Sequence, residues 1–221
     1  MSTLDEWLST DHGKETFDLL SLWTTLTADV AISRQALQQA TPFARRQYIR
    51  TVIAKVEGFT AMLKRLTASS PGAESLTAAE RLLLLEQTPV LDDKGRPELL
   101  KQFPRLEVSL RFALRMYARV NGVDYDLPVG DHEWDDLCRA IKTRNRLMHP
   151  KSDKDLDVTN EEVADAHTGE SWLGEKHRAL QELILDKQAY DSGMSAEEVK
   201  RFREFRRTLG VSEPVADGPA A

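Results

Sequence analysis

The sequence predicts an all-α protein, an up-and-down helical bundle with additional helices at its N- and C-terminal ends. Three observations carry this. Apolar residues recur at helical spacing over long segments, as in Leu19, Leu22, Leu26, Val30 and Leu37. Capping boxes beginning at Thr77, Thr159 and Ser195 each place a hydroxyl residue three positions before a glutamate at the head of a helical stretch. Proline and glycine fall mostly between the periodic segments, where they end helices and shape turns.

The first helix is read from Glu15 to Ala40, after an N-terminal extension over 1–14, with Trp23 beside its apolar seam; Pro42 breaks it. The second runs from Phe43 to Thr67, with Ile49, Val52, Ile53, Val56, Phe59, Leu63 and Leu66 on one face. Glu57 lies next to that face, one turn after Ile53. Ala68 to Ala73 is a loop, and Thr77 opens a short third helix through Leu85. Pro89 to Pro104 is the least regular internal segment. Its Asp92-Asp93-Lys94-Gly95 turn sits in a short hairpin or an extended excursion. Pro104 suits the first turn of a helix carrying Leu106, Leu110, Leu114 and Tyr117, which Asn121-Gly122 ends.

Asp131 is the expected N-cap of the next helix, which bears Trp134, Leu137, Cys138 and Ile141 at helical spacing. A charged loop leads to the Thr159 capping box, with Val158 and Val163 as its hydrophobic staple. Gly169 and Gly174 are expected to interrupt the run beyond, where Trp172, Leu180, Leu183 and Ile184 supply core. Residues 15–190 thus read as one helical domain. Residues 195–210 form a basic C-terminal helix with Lys200, Arg201, Arg203, Arg206 and Arg207, and 211–221 a disordered tail.

The 221 residues allow one domain with extensions or two small ones. At 41% apolar and 30% charged, the chain falls in the globular range. A formal net charge of −6 means that any nucleic-acid site must be a local basic patch. One cysteine, Cys138, allows no internal disulfide, and the N-terminus lacks the basic and apolar regions of a signal peptide. The expectation is a cytoplasmic protein. No apolar run reaches the length of a membrane span. With one Cys and five scattered His, no metal or cofactor is expected.

The most informative stretch is Arg139 to Lys154, R-A-I-K-T-R-N-R-L-M-H-P-K-S-D-K. Where the apolar stripe through Ile141 should continue, Arg144 and Asn145 stand instead, and Met148 resumes it. Polar groups on a core-facing stripe are costly unless a partner or ligand meets them. His149 ends the helix, because the residue before Pro150 is driven from α geometry. The stretch holds six basic residues (Arg139, Lys142, Arg144, Arg146, Lys151, Lys154) against one acid, Asp153, a patch able to attract a phosphate backbone. The plainer reading is a capping pair, with Arg144 extending to solvent and His149 on the last carbonyls.

Arg144-Asn145-Arg146-Leu147-Met148-His149 resembles the Arg-polar-x3-His signature of the HEPN superfamily, the higher eukaryotes and prokaryotes nucleotide-binding domains. The resemblance extends to the second helix with its mid-helix Glu57, to F-P-R-L-E-V-S-L-R-F-A-L-R-M-Y, and to Val158–Trp172, covering roughly Phe43 to Leu185. It implies a metal-independent endoribonuclease of toxin–antitoxin or anti-phage type, acting as a homodimer on RNA with an antitoxin or defence-system partner. Other members are non-catalytic dimerisation, nucleotide-binding or partner-binding modules, and that alternative stays open.

For metal-free RNA cleavage the ribose 2′-OH attacks phosphorus, leaving a 2′,3′-cyclic phosphate. The step needs proton transfer and stabilised phosphoryl charge. His149 is the acid/base candidate, Arg144 the phosphate fork and Asn145 the orienting group. Arg139, Lys142, Arg146 and Lys151 are candidate RNA contacts, and Glu57 a supporting carboxylate or simply a flanking acid paired with a base. Arg144 and His149 would differ by about 140° on a regular helix, so they converge only if His149 leaves it or a second copy faces the first. His12, His132, His167 and His177 read as solvated. Trp23, Trp134 and Trp172 read as core anchors, and Cys138 as packing.

Overall fold

The computed structural model describes residues 11–195, 197–201 and 204. It is 74% helical with one two-stranded sheet, so the all-α expectation holds. Two compact units divide at Gly174/Glu175, inside the stretch 15–190 that reads as one domain from sequence. Among the described residues no helix is long and apolar enough to cross a membrane.

In the first unit, α1 (Asp11–Ala36) tightens into a 3-10 turn at Leu37–Gln39, and Ala40 adopts a left-handed conformation with φ 51°. The helix therefore stops before the Ala40 that periodicity suggests. Leu19 and Val30 are buried, but Leu22 is exposed and contributes no core. Pro42 begins α2 (Pro42–Ser69) and does not end α1, which stops six residues earlier at Ala36. It occupies the first turn, where its missing N–H is harmless, and the Thr41 hydroxyl accepts from Ala44 N–H at 3.1 Å.

α2 is the hub, packed against α1, α3 (Ala78–Leu84), α4 (Leu106–Val120) and α5 (His132–Met148). Its Tyr48, Ile49, Val52, Ile53 and Leu63 are all 0% exposed, and burial extends round the helix to Lys55 and Lys64. Lys55 stays buried because its ammonium meets Glu170 at 2.5 Å and lies 4.7 Å from the Trp23 ring centre. Glu170 also accepts from Arg34 at 3.3 Å. One carboxylate of α6 (Asn160–Asp191) thereby ties α6 to both α1 and α2.

The irregular segment is a hairpin of β1 (Gln87–Leu91) and β2 (Pro97–Lys101), in which Pro89 faces Leu99 and Leu91 faces Pro97. Asp92 N–H donates to Arg96 O at one end and Gln102 N–H to Glu86 O at the other. Both prolines thus fall at positions whose N–H would point away from the partner strand, where losing it breaks no ladder bond. The expectation for Pro104 is corrected: Arg105 is the N-cap of α4, so Pro104 lies outside the helix.

Gly169 and Gly174 do not interrupt α6, which runs unbroken from Asn160 to Asp191. The Thr159 box forms: Thr159 N–H donates to Glu162 at 3.0 Å and Glu162 N–H to Thr159 Oγ1 at 3.2 Å. Trp134 and Trp172 are buried and pack together with ring centres 5.7 Å apart.

In the second unit Leu180 and Ile184 are buried, whereas Leu183 is exposed. His177 is half-buried, not solvated. Burial, helped by Arg178, lowers its pKa to about 4, and its Nε2 hydrogen-bonds the Gln181 amide at 3.1 Å. The Ser195 box is present, with Glu198 accepting from Ser195 N–H at 2.8 Å. Arg203, Arg206, Arg207 and the tail at 211–221 lie outside the described residues, as do the side chain of His12 and residues 1–10.

Candidate functional site

The site is built on the last two turns of α5. Asp131 stands at its N-cap with extended backbone (φ −76°, ψ 143°), but its carboxylate makes no cap bond. It accepts from Trp172 Nε1 at 3.0 Å and so pins α6 to the start of α5. Burial of Trp134, Leu137, Ala140, Ile141 and Leu147 fixes the rotation of α5, and with it where Arg144 leaves the helix.

Arg144 points to α2. Its Nη2 donates to Glu57 Oε2 at 2.8 Å and lies 2.7 Å from Oε1 in the same ion pair, and its Nη1 donates to Asn145 Oδ1 at 3.2 Å. The polar pair on the apolar stripe is thus met by a carboxylate across the helix interface. Asn145 is exposed. His149 leaves the helix as Pro150 requires: its backbone is at φ −131°, ψ 56°, and its N–H donates to Asn145 O at 3.2 Å. The imidazole is exposed and makes no hydrogen bond or ion pair among the described residues. Arg50 of α2, which sequence periodicity does not single out, donates to Leu147 O at 3.0 Å and secures the final turn.

The basic patch is smaller than the sequence suggests. Arg139 is bound by Asp165 at 2.9 and 3.0 Å and by Asp136, and the Asp165 hydrogen bonds raise its pKa further. Arg146 donates to Asp155 O and Asp157 O at 2.8 Å and to Glu162 at 2.6 Å. It therefore holds the loop after His149 to α5 and α6. As RNA contacts, Arg139 and Arg146 would have to leave carboxylates that already neutralise them. Lys142, Lys151 and Lys154 are exposed and carry the remaining positive charge. The Lys151 backbone N–H donates to Asp155, a bond that holds the Asp155 carboxyl below its usual range.

Glu57, Lys142 and Asn145 also border a groove of about 520 Å3, whose lining includes Glu86, Phe103, Arg105 and Glu107. Cys138 lines its wall with a thiol pushed up chiefly by burial, which suits packing and not nucleophilic attack. Among the described residues no three His, Cys, Asp or Glu side chains gather as a metal cage. The end of α5 therefore carries one guanidinium fixed on a carboxylate, one amide beside it, and one imidazole a helical turn further on that has no partner among the described residues. That set can bind an anion and move one proton. No protein-family model, curated protein or solved structure matches the chain.

Proposed function

We propose that the protein is a metal-independent endoribonuclease of HEPN type, acting as a homodimer. The observation that carries the reading is the pairing of functions at the end of α5: Arg144 held by Glu57, and His149 turned out of the helix with its imidazole unpartnered. In this reading the phosphate meets the guanidinium N–H groups that Glu57 leaves unused, and Glu57 sets their direction. His149 takes the proton of the attacking 2′-OH. The leaving 5′-oxygen needs a proton in turn, and His149 of a second copy supplies it. DNA, lacking the 2′-OH, is spared. The setting we propose is cytoplasmic, as a toxin or anti-phage effector restrained by an antitoxin or defence-system partner.

The pairing of Arg144 also supports a second reading. A guanidinium already satisfied by a carboxylate fits a non-catalytic module that binds a nucleotide or a protein partner. The discriminating experiment incubates wild type and His149→Ala with single-stranded RNA, in EDTA and in magnesium. The nuclease reading expects cleavage in EDTA with 2′,3′-cyclic phosphate ends, lost at least about a hundredfold in His149→Ala while helical circular dichroism is kept. RNA left intact at every enzyme level, or cleavage that vanishes in EDTA and returns with magnesium, overturns it.

A further inference from the structure

α5 ends where its carbonyls lose their helical donors. If the helix continued, Arg146 O would accept from the N–H of residue 150 and Leu147 O from that of residue 151. Pro150 has no N–H to give, and the Lys151 N–H donates to the Asp155 carboxylate at 2.7 Å. For Leu147 O a side chain of α2 takes over: Arg50 Nη2 donates to it at 3.0 Å. Arg50 makes no other side-chain hydrogen bond and no ion pair among the described residues. Its polar contact is this one carbonyl, two residues before His149.

α2 meets this end of α5 at two points. Glu57 holds Arg144 in an ion pair at 2.7 Å, and Arg50 holds Leu147 O. Glu57 and Arg50 stand seven residues apart, about two turns, and so share one face of α2. The helix between them is anchored in the core by Val52, Ile53 and Val56, each at most 1% exposed. One fixed element thus sets both the Arg144 guanidinium and the backbone from which His149 leaves α5.

We propose that Arg50 is a positioning residue of the ribonuclease site, keeping the His149 turn in register with Arg144; this rests on the ribonuclease reading. Stability gives the bond little to do. Met148 and His149 are exposed, and a carbonyl at an exposed helix end is served by water as well as by a side chain. Water cannot tie the turn to α2. Proton transfer needs that tie. The imidazole must stand within hydrogen-bond reach of the ribose 2′-OH while Arg144 holds the phosphate, and a displacement of about 1 Å costs up to about a hundredfold in rate. Because Arg50 works through the backbone, removing it slows the chemical step and leaves RNA binding as it was.

The test compares RNA cleavage in EDTA by full-length wild type, Arg50→Met, Arg50→Lys and Arg45→Met. Arg50→Met keeps the apolar stem and removes the donor. It is expected to lower kcat about ten- to a hundredfold with KM within about twofold, while helical circular dichroism is kept. Arg50→Lys returns a charged donor to Leu147 O and should regain most of the rate. Arg45→Met is the control: Arg45 makes the same kind of bond, to Val158 O at 3.2 Å, nine residues beyond His149, and its loss should leave cleavage at the wild-type rate. Amide hydrogen exchange at His149, whose N–H donates to Asn145 O, should quicken in Arg50→Met and not in Arg45→Met. An equal fall in Arg50→Met and Arg45→Met, no recovery in Arg50→Lys, or unchanged exchange at His149 overturns the proposal. So does a rise in KM at constant kcat, which would make Arg50 a phosphate contact. An Arg50→Met chain that cleaves like wild type sinks the proposal and leaves the nuclease standing. A wild type that never cleaves RNA sinks the nuclease reading itself.

Discussion

Arg144 and Arg146 stand two residues apart on one helix and do different work. Arg144 reaches Glu57, which is 41% exposed, so their pair is worth little to stability. Arg146 joins two backbone carbonyls and Glu162, all at 2.8 Å or less, and removing it takes that donor from both carbonyls, while Glu162 keeps the Thr143 hydroxyl at 3.0 Å. Arg146→Ala should therefore lower unfolding stability by about 1–3 kcal/mol in urea melts. Arg144→Ala should change it by less than about 1 kcal/mol while reducing RNA cleavage sharply. Equal stability losses would show that the two arginines are both structural. The sequence made Arg144 legible because a charge interrupts an apolar stripe, and Glu57 legible because it flanks one. It hid the engagement of Arg139 and Arg146, whose carboxylates lie 26 and 16 residues further on, along a helix whose docking no local pattern encodes.

Two glycines in α6 look alike in sequence and both read as helix breakers, yet the helix ignores them. Their surroundings differ. A Cβ on Gly169 would lie 2.6 Å from the Leu137 Cα and 2.7 Å from its N, so α6 approaches α5 backbone to backbone there. A Cβ on Gly174 would meet nothing within 4 Å. Gly169→Ala should destabilise by about 1–3 kcal/mol, since backbone cannot yield as a side chain does. Gly174→Ala should stabilise by about 0.5–1 kcal/mol through helix propensity. Thermal melts of the two variants decide it, and shifts of the same sign would refute the close-approach account. Because α5 carries the Arg144–His149 turn, Gly169→Ala should also depress cleavage. Helix existence was readable from periodicity and caps; what a glycine is for depends on the helix opposite.

At the scale of the whole molecule, the proposed chemistry asks for more than one chain holds. Cleavage needs one group to take a proton and another to give one, and each chain brings a single His149 to the end of α5. Arg144 and His149 share no hydrogen bond within a chain, one directed at α2 and the other exposed. A two-fold arrangement with facing motifs supplies two imidazoles and two guanidiniums to one cleft. It also concentrates the exposed Lys142 and Lys151 of both copies against the formal net charge of −6 that each chain carries. The consequence is dominance. A His149→Ala chain co-expressed with a differently tagged wild-type chain and purified through both tags should cleave RNA far below half the wild-type rate, because the mixed cleft keeps one imidazole where the step uses two. Light scattering should give twice the 25.0 kDa chain mass. An active protein of single-chain mass would place the whole reaction within one chain, with His149 serving in turn as base and acid, and the facing-motif cleft would have to be abandoned.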